Sequence, residues 1–474
     1  MNTVPLVVDL DGTLIRSDML VESGLAFVKK NPLNIFSMMK WLFTSKATLK
    51  RELAERIDID ASTLPYVPEV LSLIRREKDN GRKIVLATAT HMIYAQKIAD
   101  HLGLFDDVIA TRDAINLTAS NKAEHLIKKY NDKGFDYAGN SLDDIDVWPH
   151  ARQAIIVNPE PGVLGKANRI GNVAQIIDAN PPIIKTLIKA FRLHQWAKNA
   201  LIFVPLLASH QISQIDKIAD GIIAFLLFGL CASSVYLLND LLDIEDDRHH
   251  PTKYKRPFAS GALSIKAGVI TFPIILIGSF VGAYLLLPVS FLFALAVYYL
   301  LTVLYSFSLK RIVIVDVIVL ALLYTMRMIA GTYAFEVSLT FWMLAFSMFI
   351  FLSLALVKRY TELAEARSSG NLEKARGRGY YPDDLEMISS LGAAAGYISV
   401  MVLALYIQDE STTSLYEHPH FIWLACPILL FWISRVWLLA HRGQMHDDPV
   451  VFAIKDRLSI FAGLLFGVIF WIAV

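Results

Sequence analysis

The residues best equipped for chemistry lie in Asn239-Asp240-Leu-Leu-Asp243-Ile-Glu-Asp-Asp247, followed directly by His250-Pro251-Thr-Lys253-Tyr-Lys255-Arg256-Pro257. At about 100° per residue, a helix carrying Asp240, Asp243 and Asp247 gathers the three carboxylates within roughly 60° of arc. Oxygen ligands of this kind suit Mg²⁺, which is usually held by one or two carboxylates together with a substrate's phosphates. Lys253, Lys255 and Arg256 then meet the remaining charge of a bound diphosphate. A solvated acidic helix end would account for the acids alone. This run, however, closes a long apolar segment, where ionisable groups are costly and are retained for function or pairing.

A second chemical run opens the chain. In Leu6-Val7-Val8-Asp9-Leu10-Asp11-Gly12-Thr13 a short buried strand enters a turn, and the alternation of a strand places Asp9 and Asp11 near one another at its C-terminal end, where open α/β sheets bind their ligands. A carboxylate pair there fits a nucleophile beside a general acid/base.

These two sites need different surroundings, and the composition supplies them. The chain has 474 residues, 55% of them hydrophobic, with a formal net charge of only +1. The first 180 or so are rich in Asp, Lys and Arg, and the rest are long Leu/Ile/Phe/Val runs, so two domains of different solvent are expected: residues 1–178, a linker at 179–184 whose Pro181-Pro182 stops the preceding element, and residues 185–474. The fold class is an N-terminal α/β domain with a small helical cap over residues 17–80, then an all-α membrane domain. Nine segments are long and apolar enough to span a bilayer, centred near 197, 227, 276, 298, 321, 348, 397, 430 and 463, the first interrupted by Arg192, His194, Lys198 and Asn199. Cys231 and Cys426 both lie in apolar runs, which excludes a disulfide framework or zinc site. The chain begins with a strand-like segment and no basic-then-apolar leader, so no cleaved secretory peptide is expected. No nucleic-acid partner is expected, and the sequence does not set an oligomeric state.

Lys and Arg concentrate near 240–266, 309–311, 358–386 and 441–458, while the alternate connections carry almost none beyond Lys217. The positive-inside rule then predicts a multi-pass protein of the inner (cytoplasmic) membrane with its N-terminal domain in the cytoplasm and its C-terminus outside. The remaining polar groups fall on that cytoplasmic side: Arg192, Gln195, Lys198 and Asn199; Tyr305, Lys310 and Arg311; Asp316, Tyr324 and Arg327; and Lys358-Arg359-Tyr360. They predict one polar cavity open to the cytoplasm. Asp447-Asp448 reads either as a helix cap or as part of the cavity entrance.

The aspartate run resembles the first Asp-rich motif of the UbiA superfamily of intramembrane prenyltransferases. His250-Pro251-x-Lys253-x-x-Arg256-Pro257, Arg192-x-x-Gln195-Trp196-x-Lys198-Asn199, Tyr305-Ser-x-x-Leu309-Lys310 and Lys358-Arg359-Tyr360-x-Glu362-Leu363 are similar to the branch that includes decaprenyl-phosphate phosphoribosyltransferase, over residues 185–474. That resemblance implies Mg²⁺-dependent transfer of 5-phosphoribose from phosphoribosyl diphosphate to a polyprenyl phosphate in the membrane, as in making a cell-wall precursor. Mg²⁺ falls to Asp240, Asp243 and Asp247, and substrate binding to Asn239, Lys253, Arg256, Gln195, Lys198, Asn199, Tyr305, Lys310, Arg327, Lys358 and Arg359. The loop at 358–386 mixes Lys358, Arg359, Arg367, Lys374, Arg376 and Arg378 with Glu362, Glu365, Asp383 and Asp384, and lacks the clean second Asp-rich motif of ring prenyltransferases. Basic residues there suit a substrate with extra phosphates. The competing reading is a UbiA-type prenyltransferase that joins a prenyl diphosphate to an aromatic or other acceptor, with the N-terminal domain regulatory or inactive.

The N-terminal run resembles the first motif of the haloacid dehalogenase (HAD) superfamily, over about residues 4–160. Thr88 at the end of Ile84-Val85-Leu86-Ala87-Thr88, Lys122, and Gly139-Asn140-Ser-Leu-Asp-Asp144 match its later motifs. The resemblance implies Asp9 as phosphoryl acceptor, Asp11 as acid/base, Thr88 and Lys122 on phosphate, and Mg²⁺ on Asp9, Asp11, Asn140 and Asp144. Asn140 stands where the family normally has Asp. An amide oxygen can coordinate the ion but brings no charge. In a phosphatase next to a phosphoribosyl transferase, this domain is expected to remove the 5′-phosphate of the lipid product.

Overall fold

Strand β1 (Leu6–Val8) is fully buried because both of its faces are covered. The computed structural model describes residues 4–112, 117–250, 252–338, 340–370, 378–409, 416–445 and 448–474. β1 pairs in parallel with β2 (Ile84–His91) on one side and with β4 (Asp136–Gly139) on the other. With β3 (Asp107–Thr111), β5 (Ala154–Val157) and β6 (Val173–Ile177) the sheet runs β3-β2-β1-β4-β5-β6. Period-two alternation divides the strands between two cores. Leu6, Val8, Ile84, Leu86, Ala138 and Ile155 face one layer, and Val7, Val85, Ala87, Tyr137, Ala154 and Ile156 face the other. The chain leaves β1 for β2 on one side and returns to β4 on the other, so the strand order reverses beside β1. The C-terminal edge at such a reversal is where a doubly wound sheet opens its ligand crevice.

Between β1 and β2 stand α1 (Met19–Lys30), α2 (Asn34–Thr44), α3 (Lys46–Arg56) and α4 (Pro68–Asp79). The cap is smaller than the span 17–80. Phe27, Leu49, Leu53 and Ile57 form its own core, whereas Val70, Leu73 and Ile74 of α4 pack on the sheet layer. Asp18 caps α1 by accepting from Val21 N at 3.0 Å, and Ser45 caps α3.

By contact density the chain divides into two compact units, residues 1–191 with 236–273, and 192–235 with 274–474. The stretch that carries the aspartate run therefore belongs to the same compact unit as the α/β domain.

Among the described residues, seven helices are long and apolar enough to cross a membrane: Ile215–Leu242, Ile265–Leu286, Val289–Phe307, Val315–Ala334, Phe341–Ser368, Pro382–Tyr406 and Pro419–His441. Pro449–Lys455 and Arg457–Ala473, bent by 83°, make an eighth if counted as one span. The expected nine is thus not met by helix length. The segment centred on 197 is instead a helix at Ile183–Ala190, a 3₁₀ run at Leu193–Phe203 and a short helix at Val204–Ala208. Its break falls at Arg192, which adopts φ +51°. In the second unit one apolar core joins the helices beginning at Val315, Phe341, Leu385, Ala425, Pro449 and Arg457.

Candidate functional sites

In the α/β domain four functional groups meet at the sheet edge. Lys122 Nζ donates to Asp9 Oδ1 at 2.8 Å and to the Tyr137 hydroxyl at 2.8 Å, and lies 3.4 Å from Asp144 Oδ1. Asp144 Oδ1 also accepts from the Tyr137 hydroxyl at 2.7 Å, while its Oδ2 accepts from Asn140 N, Ser141 N and Ser141 Oγ at 2.9 to 3.0 Å. Both oxygens of Asp144 are thereby engaged by donors, and it orients Lys122 and the Asn140 turn. Gly139 permits this closeness, since a Cβ there would come within 2.7 Å of the Asp144 carboxyl.

Asp11 accepts from Met19 N at 2.8 Å and from Thr90 Oγ1 at 2.6 Å. Thr88 Oγ1 accepts from Thr90 N at 3.0 Å. Thr90 was not foreseen, although its place two residues beyond Thr88 on one strand was the available signal. Lys50 of α3 was also missed. It is buried, donates to Ala89 O at 2.6 Å and lines, with Met19, Ser23, Thr90, His91 and Tyr94, a narrow cleft between cap and sheet.

Burial raises the Asp9 carboxyl to about 7 against the pull of Lys122, with Asp144 and Asp11 adding to the rise. Burial and the charge of Asp18 raise Asp11 to about 6. Lys122 stays above the ordinary lysine value because Asp9 and Asp144 outweigh its own burial, and Asp144 is held low by Lys122 and its N–H donors despite burial. A crowded acid cluster of this kind favours an added cation. Gly12, at φ +79°, lets the Asn140 amide lie against the loop, and Thr13 Oγ1 donates to Asn140 Oδ1 at 3.3 Å. Asp9 and the Asn140 oxygen thus form a donor set that fits Mg²⁺ completed by a substrate phosphate.

The aspartate run is also assembled, but not as one three-carboxylate face. The long helix ends at Leu242 and a short one starts at Ile244, with Asp243 between them outside helical geometry. Asp240 and Asp247 converge on Arg256: Nη1 lies 3.1 Å from Asp240 Oδ1 and 3.0 and 2.8 Å from the two oxygens of Asp247. Asp243 instead lies 3.4 Å from Lys29 Nζ of α1, which also binds Asp246 at 2.6 Å. A guanidinium nitrogen occupies the point where two buried carboxylates meet, so the pair fits a cation. Burial raises the Asp247 carboxyl even with Arg256 beside it. Among the described residues no three His, Cys, Asp or Glu side chains converge as a metal cage. Asn239 and Lys253 flank the pair in sequence, Asn239 partly buried and Lys253 exposed. Pro251 lies outside the described residues.

This loop is bound to the cap at three further points. Glu22 pairs with Arg248, Asp18 Oδ2 lies 2.7 Å from Lys266 Nζ, and Asp60 Oδ2 lies 3.0 Å from His249 Nε2.

The second unit carries two polar clusters. In one, Asp448 accepts from Lys198 Nζ at 2.7 Å and from the Tyr324 hydroxyl at 3.0 Å, with Lys358 Nζ 3.5 Å away. Arg327 Nε donates to Asn199 Oδ1 at 3.1 Å, and its guanidinium lies over the Phe228, Tyr298 and Tyr324 rings. Asn199 Nδ2 is buried with no hydrogen-bond partner among the described residues. Asp448 also caps the helix starting at Pro449, as the cap reading expected. Asp447 lies outside the described residues.

In the other cluster, Asp316 accepts from Arg359 Nη2 at 2.7 Å and from the Tyr380 hydroxyl at 2.6 Å, and Arg378 donates to the Tyr305 hydroxyl at 2.7 Å. Arg359, expected to bind substrate, is 1% exposed and is also paired with Glu362. Lys310 and Gln195 are partly buried near their helix ends. Lys374 and Arg376 lie outside the described residues.

The family model for UbiA prenyltransferases matches residues 201–452, and that for haloacid dehalogenase-like hydrolases matches residues 6–129. The chain is similar to the uncharacterised protein y4nM of Sinorhizobium fredii, 35% identical over 99% of this chain and 91% of that one. It is also similar to decaprenyl-phosphate phosphoribosyltransferase of Mycobacterium tuberculosis, 28% identical over 60% of this chain and 94% of that enzyme. Among solved structures, a UbiA homolog from Archaeoglobus fulgidus bound to GPP and Mg²⁺ aligns with a TM-score of 0.46 at 14% identity, over 61% of this chain and 99% of that one.

Proposed function

The chain belongs to the UbiA prenyltransferase family and carries a haloacid dehalogenase-like domain ahead of its membrane helices, and we propose that it transfers 5-phosphoribose from phosphoribosyl diphosphate to a polyprenyl phosphate. The observation that carries this reading is the convergence of Asp240 and Asp247 on Arg256. Two carboxylates and one arginine in contact can share a magnesium–diphosphate, the carboxylates holding the ion and the arginine a phosphate oxygen. The similarity to decaprenyl-phosphate phosphoribosyltransferase favours the sugar donor over a prenyl one.

In the reaction the bond from ribose C1 to the diphosphate oxygen breaks as a lipid phosphate oxygen bonds to C1. Bound Mg²⁺ at Asp240 and Asp247 would supply charge neutralisation for the leaving diphosphate. Arg256 and Lys253 add fixed positive charge there without reorganisation during the step. Asn239 and Asp243 complete the run. Lys198, Asn199, Arg327 and Lys358 form the second anion-binding group, Asn199 offering an unused amide N–H₂. In this reading Gln195, Tyr305 and Lys310 also contact substrate, and Arg359 holds Asp316 in place.

The α/β domain acts next. Asp9 accepts the 5′-phosphoryl group of the lipid product, Asp11 protonates the departing ribose oxygen and later activates water, and Lys122 with Thr88 holds the phosphoryl oxygens. Asp144 keeps Lys122 in position, and bound Mg²⁺ would offset phosphate charge at Asp9 and Asn140.

Charge and contact support a membrane placement. The cap's ion pairs with residues 243–266 support a common side for the α/β domain and that loop, which the excess of Lys and Arg assigns to the cytoplasm. Ile215–Leu242 crosses once, so the broken segment from Ile183 to Ala208 must cross too. From Leu193 to Ala208 its 3₁₀ and helical pieces sum to about 30 Å, the thickness of a hydrocarbon core. Nine crossings then put the C-terminus outside. Residues 1–178 form the phosphatase domain, 179–184 the linker and 185–474 the transferase domain in this reading. Radiolabelled phosphoribosyl diphosphate incubated with polyprenyl phosphate and the full-length protein tests it, with prenyl diphosphate plus an aromatic acid as the competing pair.

A further inference from the structure

Helix α2 has no buried residue, although its sequence, Asn34-Ile-Phe-Ser-Met-Met-Lys-Trp-Leu-Phe-Thr44, is mostly apolar. Two faces explain it. Met38 and Trp41 turn toward the cap core, where the Trp41 and Phe27 ring centroids lie 5.4 Å apart. Ile35, Phe36, Met39, Leu42 and Phe43 fall within about 120° of arc on the other side, and they are 48%, 67%, 47%, 50% and 85% exposed. Leu33, just before the helix, is 67% exposed. An apolar stripe this continuous on a water-facing domain needs a covering partner.

The charge around the stripe selects the partner. Between Ser23 and Arg51 the chain has six basic residues, Lys29, Lys30, Lys40, Lys46, Lys50 and Arg51, and no Asp or Glu. Lys29 and Lys50 are engaged within the domain, whereas Lys40 and Lys46 are exposed beside the stripe. Large aliphatic and aromatic side chains on one face, with lysines and no acids at its margins, are the pattern of a helix lying in the headgroup region of an anionic bilayer. The same polypeptide continues into membrane-spanning helices, so a bilayer is present at high local concentration.

We propose that α2 is an interfacial helix that seats the cap of the phosphatase-like domain on an anionic bilayer surface, through Leu33, Ile35, Phe36, Met39, Leu42 and Phe43 in the acyl boundary and Lys40 and Lys46 at the phosphates. Seating the cap there holds the Asp9 edge at the surface from which a lipid-linked phosphate is presented. The contact itself does not depend on which donor the transferase uses.

The test uses full-length protein in nanodiscs, one copy per disc, with Cys231 and Cys426 replaced and an environment-sensitive NBD label on Phe36→Cys, Phe43→Cys or, as control, the exposed Lys128→Cys. With phosphatidylglycerol in the disc, labels at 36 and 43 are expected to emit to the blue of the label at 128. Doxyl-labelled lipid should quench them at least twofold more strongly. Replacing phosphatidylglycerol by phosphatidylcholine should weaken both effects, as should Leu42→Asp with a label at Phe36→Cys. Equal quenching at all three positions would overturn the proposal. Quenching that is unaffected by Leu42→Asp would do the same, as would burial of the label that appears only when two copies share a disc.

Discussion

Arg256 Nη1 lies 3.0 and 2.8 Å from the two carboxylate oxygens of Asp247. The same nitrogen reaches Asp240, so the guanidinium and a divalent cation compete for one place, and a diphosphate that brings the cation also offers the arginine a new partner. Arg256→Ala is expected to raise KM for the phosphorylated donor about 10- to 100-fold, about 1.4 to 2.8 kcal/mol, while lowering the Mg²⁺ concentration needed for half-maximal rate. Steady-state kinetics against both ligands would show it, and an unchanged donor KM would remove Arg256 from the site.

Asp9→Asn should leave sugar transfer intact and reduce phosphate release by about a thousandfold or more, as loss of a nucleophile does. Thin-layer separation of the lipid products would then show the phosphorylated form accumulating. Phosphate release at the wild-type rate would show that Asp9 is not the phosphoryl acceptor.

Asn140 gives a test in the opposite direction. Asn140→Asp adds a second carboxylate beside Asp9, and the Mg²⁺ concentration for half-maximal phosphate release should fall about tenfold, about 1.4 kcal/mol. Titration with Mg²⁺ at fixed substrate reads this directly, and no change would place the amide away from the ion.

The outcome of reading the sequence depended on whether geometry stayed local. Asp9 and Asp11 are placed locally because both follow directly on the end of β1 at Val8, and Lys122 and Asn140 come to the same edge, Lys122 reaching Asp9. The aspartate run did not survive as one face, because the helix breaks at Asp243 and helical arithmetic fails across a break. Arg359 illustrates a different limit. Its charge was visible, but its burial on Asp316, 43 residues away, depends on helix packing that no local pattern encodes. The segment near 197 departs from one long helix for a third reason, since hydropathy counts apolar residues and cannot see the turn that Arg192 makes at φ +51°.

Lys198 and Asp448, 250 residues apart and with side chains 9% and 8% exposed, form a pair whose loss should be felt in folding. Asp448→Asn leaves the lysine charge without its carboxylate and should cost about 3 to 5 kcal/mol, whereas Lys198→Met with Asp448→Asn should recover part of that. Thermal unfolding of the detergent-solubilised protein would compare them. Additive single and double effects would show that the pair is not coupled.

The central claim is the identity of the transferred group. Full-length protein should move label from [¹⁴C-ribose]phosphoribosyl diphosphate onto polyprenyl phosphate in the presence of Mg²⁺, and Asp240→Ala should abolish the transfer. Labelled lipid formed only from prenyl diphosphate and an aromatic acceptor, with none from the sugar donor, would contradict the account.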